Sequence, residues 1–161
     1  MTISDKTYNA GGKIIEWGKT FDEVSILLKD FEKFKPYGGR PNIRCKCSEI
    51  FGIVSHEFEV RAPAEDRPIL QVQYELAPIQ SKFWQRLHAP FLHQLSQVLG
   101  EPVEKRRNYY PYGVMKKYDS GNVVFSVTWL FGDLRVSLSV YGGTRYQESG
   151  AAAAGLYCSN V

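Results

Sequence analysis

Cys45 and Cys47 stand one residue apart in an alternating stretch, His56 follows nine residues on, and Cys158 lies near the end of the chain. Two thiols on one strand face, with a histidine on the inward face of the next strand, suggest a metal site or a Cys/His nucleophile. Structural zinc prefers two to four residues between cysteines and four closed ligands, so a single-residue gap strains the chelate. Both cysteines also occupy positions that the alternation assigns to apolar side chains, where a free thiol acts as a small hydrophobe. A thiol nucleophile needs a base and a third group to orient it. The remaining histidines, His88 and His93, would point about 140° apart on a helix and cannot share one site. Neither a metal nor another cofactor is expected.

The carboxylates fare no better as acid/base pairs. Glu57 and Glu59 project to the wet face of a strand, and Glu65 and Asp66 sit with Arg67 in a loop, whereas paired-carboxylate catalysis needs a cleft with two distinct environments. The glycine pairs Gly11-Gly12, Gly38-Gly39 and Gly142-Gly143 fit neither a P-loop nor a dinucleotide fingerprint. No catalytic residue is assigned, and the residue pattern favours binding over chemistry.

The unusual stretch is Glu104 to Gly113, three cations beside three tyrosines around one proline. Stacking tyrosines and phosphate-neutralising Lys105, Arg106 and Arg107 would suit a single-stranded nucleic acid. Glu101 and Glu104 offset that charge, however, and no nucleic-acid module accompanies it. Tyr and Arg are the residue types enriched at protein-interface hot spots. Arg106, Arg107, Tyr109, Tyr110 and Tyr112 are therefore expected to contact a protein partner, with Tyr37 and Arg40 as neighbours. A second option is a small-molecule pocket between sheet and helices, lined by Phe58, Tyr74, Trp84 and Trp129 with His56 as its polar anchor.

The elements that must position these residues follow from periodicity. Thr20-Phe-Asp-Glu23 has the form of a capping box, and Val24, Leu27, Leu28 and Phe31 recur at helical spacing until Lys35-Pro36. Three alternating strands follow, over Ile43 to Ser48, Val54 to Arg61 and Leu70 to Leu76, with His56 counted among the inward residues. A second helix is expected from Pro78 to Gly100, with Trp84, Leu87, Phe91, Leu95 and Val98 as its stripe and, because of Pro90, a kink near Arg86 or two shorter helices meeting there. Three more strands are expected at Val114 to Tyr118, Val123 to Leu130 and Leu134 to Tyr141, the last with Leu134, Val136, Leu138 and Val140 inward and Arg135, Ser137, Ser139 and Tyr141 outward, then a short alanine helix capped by Ser149. The expected fold is a single α+β domain over residues 1–161, with residues 1–12 as a flexible N-terminal segment. Two main helices pack on an antiparallel or mixed sheet of about six or seven strands, and a helix plus three-strand pattern occurs twice, either as a duplication or as two unrelated meanders.

A chain of 161 residues with 43% hydrophobic and 23% charged residues suits one globular domain. Its net charge of +3 is too mild to mark a nucleic-acid partner. The start of the sequence lacks the apolar stretch of a secretory signal, and no apolar run reaches the roughly 20 residues of a membrane helix. With three cysteines and no dense framework, the expectation is a reduced, cytoplasmic protein without membrane contact.

Trp17-Gly18, Thr20 to Val24, Leu99-Gly-Glu-Pro102 and Leu134 to Val140 followed by Gly142-Gly143 form a layout that resembles small bacterial α+β proteins of mobile gene cassettes, including immunity proteins. That resemblance implies a non-enzymatic protein that binds one partner tightly, as when it neutralises a toxin; it transfers no site residues. Inhibitors of nucleases tend to be acidic, and this chain is mildly basic, which argues against a nuclease as the partner. The order of elements also resembles secretion chaperones, which are generally acidic homodimers, and homodimerisation stands as a further option.

Overall fold

The computed structural model describes residues 4–34, 39–80, 88–107, 122–142 and 151–160. The first hairpin joins β1 (Thr7–Ala10) to β2 (Lys13–Glu16) through Gly11 and Gly12, whose φ values of 58° and 85° require the left-handed region. The segment expected to trail as a flexible N-terminus thus contributes a strand, with Tyr8 and Ala10 buried. Helix α1 (Phe21–Leu27) starts where the sequence predicts: the Thr20 hydroxyl accepts from the Glu23 backbone N–H, and the Glu23 carboxylate accepts from the Thr20 N–H at 2.8 Å. It ends earlier than the spacing suggests, because residues 32 to 34 leave it to form β3 (Glu32–Phe34) against β4 (Asn42–Ile50).

Strand β5 (Ile53–Arg61) returns along β4, and β6 (Gln71–Gln80) pairs with β5. Pro78, read in the sequence as a helix start, lies inside β6. There the register with β10 (Ala151–Asn160) shifts, so a residue lacking a backbone donor sits at an irregularity of the ladder. Helix α2 (His88–Leu99) follows, and Pro90 lies in its first turn, where backbone donors have no intrahelical acceptor. The kink expected near Arg86 lies outside the described residues. Strands β7 (Glu104–Arg107), β8 (Asn122–Phe131) and β9 (Leu134–Gly142) complete the order. The expected strand Val114 to Tyr118 falls outside the described residues.

The sequence expectation of an α+β fold with two main helices is overturned. Eight strands form one antiparallel sheet in the order β3-β4-β5-β6-β10-β9-β8-β7, and β1-β2 form a second small sheet, so the protein is mostly β with two short helices among the described residues. The difference has two physical sources. Residues 151 to 154, read as an alanine helix, belong to β10 in the middle of the sheet, because pairing on both sides overrides the helical propensity of alanine. Part of the covering layer comes from the β1-β2 hairpin, whose Tyr8, Ala10 and Ile15 join the core, rather than from a long helix. The expected repeat also changes size: each half is a helix followed by a four-strand meander, and the halves join where β6 pairs with β10.

One face of the large sheet holds the core. In register across the strands, Phe58, Tyr74, Leu156, Leu138 and Val127 form one buried row, and Val60, Val72, Cys158, Val136 and Trp129 form the next. Burying each large apolar side chain contributes about 1.5–3 kcal/mol. The polar tips are satisfied too: Tyr74 donates its hydroxyl hydrogen to the Asn9 carbonyl at 2.8 Å, and Trp129 Nε1 donates to the Gly100 carbonyl at 3.0 Å. These bonds pin β1 and the end of α2 to this same face. No helix among the described residues is long and apolar enough to cross a membrane.

Candidate functional site

Period-two alternation sends every second side chain of the large sheet away from the core, onto the face opposite the described helices and the β1-β2 hairpin, where most are half-buried and Ser139 and Thr128 are each only 7% exposed. Its composition can be read off the register. One cross-strand row runs Glu57, Glu75, Gly155, Ser139, Ser126, Arg106. The central row runs Arg44, Glu59, Gln73, Tyr157, Ser137, Thr128, Glu104, and the third runs Asn42, Arg61, Gln71, Ser159, Arg135, Leu130.

The two ends of this open face differ. On β4 and β5 long charged side chains pair with one another: Arg44 reaches Glu57 at 2.7 Å and Glu59 at 2.9 Å, and Arg61 reaches Glu59 at 2.6 Å. Burial works against ionisation of Glu59, yet the hydrogen bonds from Arg61 and Arg44 outweigh it and hold the carboxyl below its ordinary value of 4.5. On β10, β9 and β8 the face is lined by glycine and hydroxyls, and the Thr128 and Ser137 hydroxyls share a hydrogen bond of 3.1 Å. Small side chains there leave a shallow trough beside Tyr157. Its lower part is a depression of about 590 Å³ lined by Leu70, Gln71, Ser137, Ser139, Tyr157 and Ser159.

A second depression, of about 360 Å³, shares Leu70 and Gln71 with the first and continues it to Arg40, Asn42 and Arg61. Asn42 is only 2% exposed, and its Oδ1 accepts no hydrogen bond from the described residues. The side-chain amide donates from Nδ2 to the Arg40 carbonyl at 3.1 Å, which fixes the orientation of the group. A buried acceptor without a donor costs about 1–3 kcal/mol, so this position is held against a local penalty. Across Pro63 lies a third depression, of about 410 Å³, with Asp22, Glu65 and Asp66 in its wall.

The residues singled out in the sequence are dispersed by this fold. Phe58, Tyr74 and Trp129 are core side chains packed against their neighbours, and Phe58 and Tyr74 stack at 5.8 Å between ring centroids. His56, expected to face inward as a pocket anchor, is exposed. It is the extra residue where the β5-β6 register shifts between Ser55 and Glu57, so Ile53 and Ser55 point inward before it and Phe58 and Val60 after it. Trp84, Tyr37, Tyr109, Tyr110 and Tyr112 lie outside the described residues. Arg106 is exposed at the rim of the open face, its Nε bonded to Glu104 at 2.6 Å; Arg107 continues β7, with its side chain outside the described part.

The stretch read as a surface segment therefore begins as the edge strand of the sheet. Cys45 and Cys47 lie on β4 with side chains outside the described part, whereas Cys158 is buried and desolvation pushes its thiol well above the ordinary range, which leaves it unreactive. No group of three metal-ligating side chains occurs among the described residues. Sequence reasoning found the outward Ser137, Ser139 and Arg135 through the alternation of β9. It missed Tyr157, because the residues leading into β10 were read as a helix; the alternation Leu156, Tyr157, Cys158 was the available signal.

Compared with known proteins, the chain matches no family model, no characterised protein and no solved structure.

Proposed function

We propose that this protein is a non-enzymatic binding module that docks one protein partner on the open face of its sheet. The observation that carries this reading is the polar outer face of the eight-stranded sheet, over which the described helices and hairpin do not pack: Tyr157 lies at the centre of its middle row, half-buried among hydroxyls, and Arg106 is exposed on its rim. Tyr and Arg at such positions are the types that dominate interface energetics, and the ion-paired arginines beside them are already fixed in place. A small-molecule pocket in the core is a weaker reading, since Phe58, Tyr74 and Trp129 occupy that volume themselves. The narrower expectation that the partner is a toxin rests on the resemblance in layout alone.

The test is a paired capture from nuclease-treated lysate with the wild-type chain and with a folded Leu70→Asp, Tyr157→Ala variant. A stoichiometric protein retained by the wild type and lost by the variant supports docking on this face. Equal retention by both places the interface elsewhere and overturns the proposal.

A further inference from the structure

The groove formed by the two linked depressions has different chemistry at its two ends. At the β10-β9 end it offers hydroxyls and amides over a floor of Ser137, Ser139 and Ser159, beside the exposed apolar Leu70. At the other end, Arg40 is exposed and makes no ion pair with a described residue, Arg61 is held at one edge by Glu59, and Asn42, whose buried Oδ1 has no partner among the described residues, belongs to the same lining. A ligand that satisfies this end must bring a negative charge for the arginines and, next to it, a hydrogen-bond donor for the amide oxygen. A peptide's last residue has both, a backbone N–H beside a free carboxylate.

Building on the docking proposal above, we infer that the groove takes the C-terminal tail of the partner polypeptide, with the terminal carboxylate on Arg40 and Arg61 and the last backbone N–H on Asn42 Oδ1. The preceding residues lie extended over Leu70 and Gln71 towards Tyr157. A terminus fits better than an internal acidic residue because Asp22, Glu65 and Asp66 line the next depression across Pro63, so a chain carrying negative charge further would meet like charge. Asn42 is tied through its Nδ2 to the carbonyl of Arg40, beside Gly39 with φ 72°, and the inferred contact requires this exposed loop to shift and uncover the oxygen.

The experiment uses fluorescein-labelled random peptides of about six residues, long enough to span roughly 20 Å when extended, followed by anisotropy on the whole protein. Four pools are compared: free acid, C-terminal amide, free acid with the last peptide nitrogen methylated, and a glutamate-rich amide. The free acid is expected to bind about tenfold tighter than each of the other three, a difference of about 1.4 kcal/mol. Arg40→Gln, a change at an exposed side chain, should erase that preference. Equal binding of acid and amide, a glutamate-rich amide that matches the free acid, or no binding by any pool at about millimolar concentration overturns the inference. If the preference is missing while the Leu70→Asp, Tyr157→Ala variant still loses its protein partner, the tail inference fails and the docking face stands. If that variant keeps its partner, the docking proposal itself fails.

Discussion

The two faces of the large sheet are built from the same strands and differ in almost every physical respect. On the inner face Trp129, Tyr74, Phe58 and Leu138 interlock with nearly no exposure, and each polar tip on Tyr74 and Trp129 has a carbonyl to bond. On the outer face paired charges, hydroxyls and a glycine lie level with one another, with Tyr157 and Leu70 as the large side chains near the middle of the groove. The comparison teaches that stability and recognition are separated across a single layer of backbone: substitutions inside should unfold the protein, and substitutions outside should leave it folded and change what it holds.

The largest effect is expected inside. Trp129→Ala removes a fully buried ring and its bond to Gly100, and should lower unfolding free energy by about 3–5 kcal/mol, read by urea denaturation. Tyr74→Phe keeps the ring and deletes only the hydroxyl, leaving the Asn9 carbonyl without that donor, at a cost of about 1–2 kcal/mol by the same measurement. Glu59→Gln tests the charged end of the outer face. Because its partners Arg44 and Arg61 are about two-fifths exposed, solvent screening holds the expected loss to about 1 kcal/mol at neutral pH.

The pH dependence has a defined sign. The Glu59 carboxyl is held below its ordinary value in the folded state, so its contribution is fully present above about pH 4.5 and is lost as the pH falls from there through the folded value. The wild type should lose stability relative to Glu59→Gln over that acidic window, and a constant difference down to about pH 2 would remove Glu59 from the account. The smallest effect on stability, within about 0.5 kcal/mol, is expected for Leu70→Asp, where the side chain is 54% exposed.

Much of the inner face was legible in the sequence. The alternation of Leu134, Val136, Leu138 and Val140 and of Val72, Tyr74 and Leu76 predicted their burial, but Leu70, in phase with the latter, is 54% exposed, and the Thr20 to Glu23 capping box predicted the start of α1. Local signals failed where long-range pairing decides. Ala151 to Ala154 have helical propensity yet form the central strand, because β6 and β9 supply ladders on both sides. Pro78 reads as a helix start and lies in a strand because the ladder is already irregular there. His56 reads as inward because the alternation is in phase with Phe58 and Val60, whereas one inserted residue puts the side chains before it out of that phase, and no local feature announces the bulge. The open face as a site was only half legible. Outward serines on β9 could be read from one strand, but the groove joining Arg40 to Tyr157 exists only once β4, β6, β9 and β10 are brought side by side.

Hydroxyl-radical footprinting of the captured complex tests the separation of faces most directly. Tyr157 and Leu70 should be labelled in the free protein and protected in the complex, while Ile26, 72% exposed on α1 on the opposite side of the sheet, should be labelled equally in both. Protection of Ile26 with unchanged labelling of Tyr157 and Leu70 would contradict the account.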